Sequence, residues 1–255
     1  MSNEQQVQER IIRDAGAADG ANRAPAGPAL NTSNAGLSHP PAGAANLQAM
    51  ILVLAPVVMM AGFLYHPHIG DPVDPDFLAR LGAAVSADTL RWAVAHLLVA
   101  VGSGFILLAF LAIRSRLREA DEQRWSSFGL PFIVMGSMFY ALLPAMEFAP
   151  LAAENSGADP AAAQAALLPW FAPILFTGAF IFAIGAVSFA IGIVRSRMLS
   201  PAVTRLVAVS LIVMAVSRLV PLSAIQFYVQ GVAGLAALWP LAYSVWKRTA
   251  PSLTH

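Results

Sequence analysis

The sequence predicts an all-α, polytopic membrane protein: a bundle of six transmembrane helices with both termini on the cytoplasmic side. Three observations predict it. Only 11% of the 255 residues are charged, while 58% are hydrophobic. A soluble domain carries about 25% charged residues, so lipid has to solvate most of the helix exteriors. Six apolar stretches follow one another through the chain, each near the ~20 residues that cross the hydrocarbon core of a bilayer. The basic residues between them alternate from one side to the other.

The apolar stretches run over about 47–65, 89–113, 125–148, 167–194, 203–220 and 224–246, within a membrane domain spanning 47–248. A transmembrane β-barrel would instead show alternating segments of ~10 residues. Residues 1–46 are rich in Ala, Gly, Asn, Gln and Pro and poor in large apolar side chains. Such a segment cannot offset its ordering entropy by burial, so a disordered cytoplasmic tail is expected there. No short basic region runs directly into an apolar one, which argues against a secretory signal peptide. Residues 249–255 read as a short C-terminal tail.

Local signals mark the helix starts. Asp88 is placed to cap the second span, and Asp159-Pro160 and Ser200-Pro201 put a capping side chain before a first-turn proline. The fourth helix is therefore expected to begin at Pro160, ahead of its apolar run. Asp74-Pro75 gives the same signal for a short outer-surface helix near 75–81, with Phe77, Leu78 and Leu81 as its apolar side.

Orientation follows from the loops. Arg114, Arg116, Arg118 and Arg124 lie between spans two and three, and Arg195 and Arg197 between four and five, with Arg205 just inside. Lys247 and Arg248 follow span six, and Arg10, Arg13 and Arg23 lie in the tail. The opposite segments hold only Arg80, Arg91 and Arg218. Both termini are thus expected inside, in a bacterial cytoplasmic (inner) membrane. The basic loop is interleaved with Glu119, Asp121 and Glu122, an orientation signal rather than a nucleic-acid surface. Small residues mark the expected seams: Gly129 and Gly136 in span three, Gly178, Gly185 and Gly192 in span four, Gly231 and Gly234 in span six. Pro144 should kink the third span one turn before Glu147.

The costly groups are few, and they gather toward the outer face: His66, His68, Arg91, His96, Glu147 and Arg218. His66, His68, His96 and Glu147 are the candidate cofactor or metal ligands, since imidazole and carboxylate suit zinc, copper or non-haem iron. His96 alone could be an axial haem ligand; a bis-histidine haem would require His66 or His68 to fold inward. Tyr140, Gln226, Tyr228 and Gln230 are candidate polar lining. The competing structural reading pairs Glu147 with Arg91 or Arg218, lets His96 make one hydrogen bond across a helix contact, and places His66 and His68 at the interface beside Tyr65 and Trp92.

The chain has no cysteine, which excludes disulfides, thiolate metal sites, iron–sulfur clusters and cysteine nucleophiles. Phosphate loops, His-Glu-x-x-His and Gly-x-Ser-x-Gly are absent as well. His66-Pro67 after the first span and Trp92 to His96 in the second resemble small six-helix bacterial inner-membrane proteins of uncharacterised function. The resemblance covers the first two spans and implies a fold rather than an activity. The expected role is a non-catalytic accessory or assembly subunit in contact with the lipid bilayer and with a membrane partner or a second copy. The alternatives are a haem- or metal-binding redox protein using the His/Glu cluster, and a small-solute or proton-coupled transporter in which Glu147 titrates.

Overall fold

The computed structural model describes residues 42–249, and all of their regular structure is helical. Most of the tail expected over 1–46, and the last six residues of the chain, lie outside the described residues; residues 42–46 are already helical. The helices are α1 (Ala42–Tyr65), α2 (Phe77–Ala87), α3 (Thr89–Glu119), α4 (Arg124–Met146), α5 (Phe148–Asn155), α6 (Pro160–Ser196), α7 (Pro201–Val216) and α8 (Gln230–Thr249). A 3-10 turn, Ser217–Leu219, ends α7, and a π-helical turn, Ile225–Val229, leads into α8. Six helical runs are long and apolar enough to cross a membrane: Gly43–Tyr65, Thr89–Glu119, Arg124–Asn155, Pro160–Ser196, Pro201–Leu219 and Ile225–Arg248. They are the six predicted spans.

Several ends extend past the apolar runs, for local reasons. Asp88 caps α3 by accepting the Arg91 N–H at 2.9 Å. The helix then continues to Glu119, with Arg116 and Arg118 in its last turn, where cations oppose the negative end of the helix dipole. Asp159 caps α6 through the Ala161 N–H at 2.8 Å, and Pro160 occupies the first turn as expected. Ser200 departs from expectation: its side chain makes no capping bond, although Pro201 still starts α7. Asp74 also departs. It accepts the Asp71 N–H at 3.2 Å and pairs with Arg80 at 2.8 Å, so α2 begins later, at Phe77. That helix runs on to Ala87 because Leu81 and Val85 are buried with Ile69 and Trp92 in a small satellite core.

Each span packs on its neighbour in sequence, and α8 packs back on α1, so the six spans close into a ring. The α4–α6 seam is the tightest and carries the predicted glycines. A Cβ at Gly136 would lie 2.6 Å from Phe182 Cβ, and one at Gly185 would lie 2.8 Å from the Ile133 side chain. Only a missing side chain permits that approach. Inside the ring, Phe110 of α3 meets Phe182 and Phe189 of α6 edge-on, with centroids 5.6 and 4.9 Å apart. Pro144 lacks the N–H that would hold the preceding turn, and the third span breaks at Glu147 before resuming as α5.

Candidate functional site

The site lies at the end of the bundle that carries the α1–α2 connection. Residues 67–76 cross this end as a strap. Ser223, in the turn before the last span, fastens it: the Ser223 N–H donates to Asp71 Oδ1 and its hydroxyl donates to the Gly70 carbonyl, both at 2.7 Å. Gly70 is needed at that turn, since its φ of 84° is left-handed and a Cβ there would lie 2.9 Å from Arg80 Nη1. Under the strap is a cavity of about 120 Å³. His66, His96, Tyr140, Glu147 and Gln226 contribute to its lining, with Phe63 and Phe227 among its apolar walls.

His66 is the first residue past α1, and its N–H still bonds back to the Gly62 carbonyl at 3.0 Å. Pro67 turns the chain, and the imidazole swings inward over the bundle. The His66 ring packs on Phe227, His96 and Trp92 at 5.2, 4.9 and 5.7 Å between centroids. Its Nδ1 donates to the Pro67 carbonyl at 2.7 Å. His96, buried in α3, donates from Nδ1 to the Trp92 carbonyl, also at 2.7 Å. A carbonyl can only accept, so each Nδ1 carries the proton, and each neutral ring presents a bare lone pair at Nε2. The two Nε2 atoms face each other at 3.3 Å. Burial pushes the His66 imidazole down to about 4, opposed by the Pro67 hydrogen bond and assisted by Arg91 and His68.

Glu147 sits at the α4–α5 break. Its main-chain carbonyl accepts the Trp92 indole N–H at 2.8 Å, and its Oε1 accepts from Gln164 Nε2 of α6 at 3.1 Å. The other carboxyl oxygen, Oε2, is buried without a hydrogen-bond partner. Neither expected arginine pairs with it, and the described ion pairs are Arg80–Asp74 and Arg116–Glu119. Arg91 is exposed, donates to the Tyr65 carbonyl at 2.9 Å and lies over the Tyr65 ring. Arg218 is 1% exposed and is held between the rings of Phe182 and Tyr140. Tyr140 donates to Gln230 Oε1 at 3.3 Å, so Gln230 is buried behind the cavity rather than in its wall.

The sequence-derived candidates are thus partly assembled. His66, His96, Glu147, Tyr140 and Gln226 line one cavity, while His68 and Tyr228 sit exposed on its rim. Trp92, expected in the interfacial aromatic belt, is instead fully buried and orients both His96 and Glu147. Gln164 was not visible as a site residue. It stands in an alanine-rich run, and its partner lies 17 positions away across the α5–α6 turn. Among the described residues, no group of three or more His, Cys, Asp and Glu side chains is close enough to enclose a metal ion by itself. A porphyrin suits the pair poorly. Imidazoles on opposite faces of one iron would stand ~4 Å apart at bond lengths of ~2.0–2.1 Å, wider than the 3.3 Å seen, and the cavity holds about 120 Å³. No protein-family model, curated protein or solved structure matches the chain.

Proposed function

We propose that the protein is a non-catalytic, membrane-embedded binding protein that holds a small ligand in the cavity under the strap and serves a membrane complex as an accessory subunit. One observation carries this reading: the polar groups of the cavity do not satisfy one another. Structural polar groups inside a bilayer are expected to be paired. Here Glu147 Oε2 lacks a partner, and the His66 and His96 lone pairs oppose each other across 3.3 Å. Unpartnered atoms occur elsewhere in the bundle too, but here they coincide with a cavity and with two facing imidazole nitrogens, which a ligand could complete. The alternation of basic segments supports an orientation with the cavity on the outer face of a bacterial inner membrane. The cysteine-free chain makes that testable: Ala158→Cys should react with an impermeant maleimide added outside cells, and Asp121→Cys should not.

The binding reading is tested without knowing the ligand. His66→Phe keeps the ring against Phe227 and Trp92 but removes the opposed lone pair. In purified, extensively dialysed protein it should raise the melting temperature by about 2–4 °C, as expected for ~1 kcal/mol in a chain of this size. A fall of similar size would show that the ring nitrogen is structural and would end this reading.

A second reading, a proton-coupled carrier, draws on Glu147 itself. One oxygen is held by Gln164 and the other is unpartnered in the span. Proteoliposomes with an entrapped pH dye should then show a proton flux that Glu147→Gln removes.

A further inference from the structure

We propose that His66 and His96 form the protein half of a transition-metal site, taking a divalent late first-row ion of the copper or zinc class through their two Nε2 atoms. The inference rests on the binding reading above and names the ligand of that cavity. Both Nδ1 atoms are committed to main-chain carbonyls, Pro67 and Trp92, at 2.7 Å each. Neither ring can offer a proton to the other unless one becomes cationic, so the contact at 3.3 Å is not a hydrogen bond between neutral imidazoles.

A single metal ion held by both Nε2 atoms would resolve the conflict at the separation observed. With metal–imidazole bonds of ~2.0–2.1 Å at a tetrahedral angle, two ligating nitrogens stand about 3.3 Å apart. The observed separation is 3.3 Å. The carbonyls do what outer-shell partners of metal-bound histidines do: they accept the far N–H, fix the tautomer and raise the basicity of the ligating nitrogen. Two elements with independent constraints deliver the ligands. His96 is fixed by its own helix through the carbonyl four residues back, and His66 is fixed by the Pro67 turn.

The donor set narrows the ion. Imidazole without thiolate suits zinc, copper and nickel rather than calcium or magnesium. Affinity among divalent first-row ions peaks at copper, but the 3.3 Å separation matches the tetrahedral angle of zinc, the tetragonal angle of Cu²⁺ setting about 2.9 Å. With two protein ligands and no third His, Asp or Glu closing around them among the described residues, the remaining positions fall to water or small anions in the cavity. A site open on that side exchanges its ion, unlike a four-ligand structural zinc site. This suits a protein that receives and passes on an ion rather than one that needs it to fold.

The test uses the untagged full-length protein in nanodiscs, stripped with EDTA, dialysed, and titrated calorimetrically with Zn²⁺ and Cu²⁺. Co²⁺ serves as a visible probe, because tetrahedral Co²⁺ absorbs strongly through its d–d bands. One ion should bind per chain. His66→Gln and His96→Gln should each weaken binding by at least ~10–100-fold, the loss typical even of outer-shell changes, while His68→Gln should stay within a few-fold of wild type. Circular dichroism and size-exclusion profiles establish that each variant is folded. Should His96→Gln fail that check, the His66→Gln and His68→Gln comparison decides, because His66 lies outside the spans. No saturable binding, or equal loss in His68→Gln, overturns the assignment. So does a ¹⁵N imidazole spectrum showing a shared proton between the rings at neutral pH in metal-free protein. Failure to bind metal together with a raised melting temperature for His66→Phe removes the metal and leaves the binding reading standing; failure with a lowered one removes both.

Discussion

The guanidinium of Arg218 lies 3.8 Å from the ring centroid of Phe182, and the Tyr140 ring lies 4.1 Å from the same carbon. A buried cation inside a bilayer ordinarily recruits a carboxylate. This one has aromatic faces instead, and its Nε and Nη1 make no hydrogen bond.

If the rings hold the cation, their attraction depends on a flat group that can lie against both. Lysine keeps the charge but is compact and more strongly hydrated. Arg218→Lys should therefore destabilise the protein by about 1–3 kcal/mol. Arg218→Met, which removes the buried charge and keeps the volume, should be within about 1 kcal/mol of wild type or more stable. Thermal denaturation in detergent separates the two. A larger loss for methionine than for lysine would show that the charge itself is required.

The α4–α6 seam makes a sharper stability prediction. Gly136→Ala places a methyl group 2.6–2.7 Å from Phe182 Cβ, Cα and N, and overpacking of this kind costs about 1–3 kcal/mol. Gly104→Ala meets nothing within 4 Å and should gain up to about 1 kcal/mol from helix propensity. Equal melting temperatures for the two variants would remove the seam from the account of how the spans are held.

Acid should destabilise the bundle through His66. Its imidazole is pushed down to about 4 by burial, from 6.5 in the unfolded chain. Between those values the unfolded chain binds a proton that the folded one refuses, so stability falls as pH drops from 6.5 toward 4 and this contribution levels off below 4. The slope for one proton is at most about 1.4 kcal/mol per pH unit. Unfolding followed across that range should show a shallower slope in His66→Phe than in wild type; an unchanged slope would assign the acid sensitivity to other groups.

The spans, the glycine seam and the caps at Asp88 and Asp159 were legible in the sequence, because each follows from local chemistry. An apolar run must sit in lipid, a glycine row must face another backbone, and an Asp just ahead of a helix start can satisfy a free N–H. The helix ends were less legible, since hydropathy reports the lipid boundary and α3 and α6 remain helical beyond it. Asp74 shows how a local signal loses to a tertiary one: its carboxylate goes to Arg80 and the Asp71 N–H instead of capping a helix. The site was half visible. Residue type and depth singled out His66, His96 and Glu147. Neither could show that His66 turns inward after Pro67, that Trp92 is buried to hold both partners, or that Glu147 goes to Gln164 rather than to an arginine. Those outcomes are set by contacts between segments far apart in the chain.

The closed ring also fixes when the site can exist. Phe63 stacks on Phe227 at 5.0 Å, and Phe227 forms one side of the His66 pocket. His66 directly follows the first of the six described spans, and the wall it leans on belongs to the sixth. During synthesis the two histidines can approach each other once the second span is in the membrane, but the chamber around them is not enclosed until the sixth arrives. A product truncated before the sixth described span therefore lacks the Phe227 wall and leaves the His66 ring uncovered on that side.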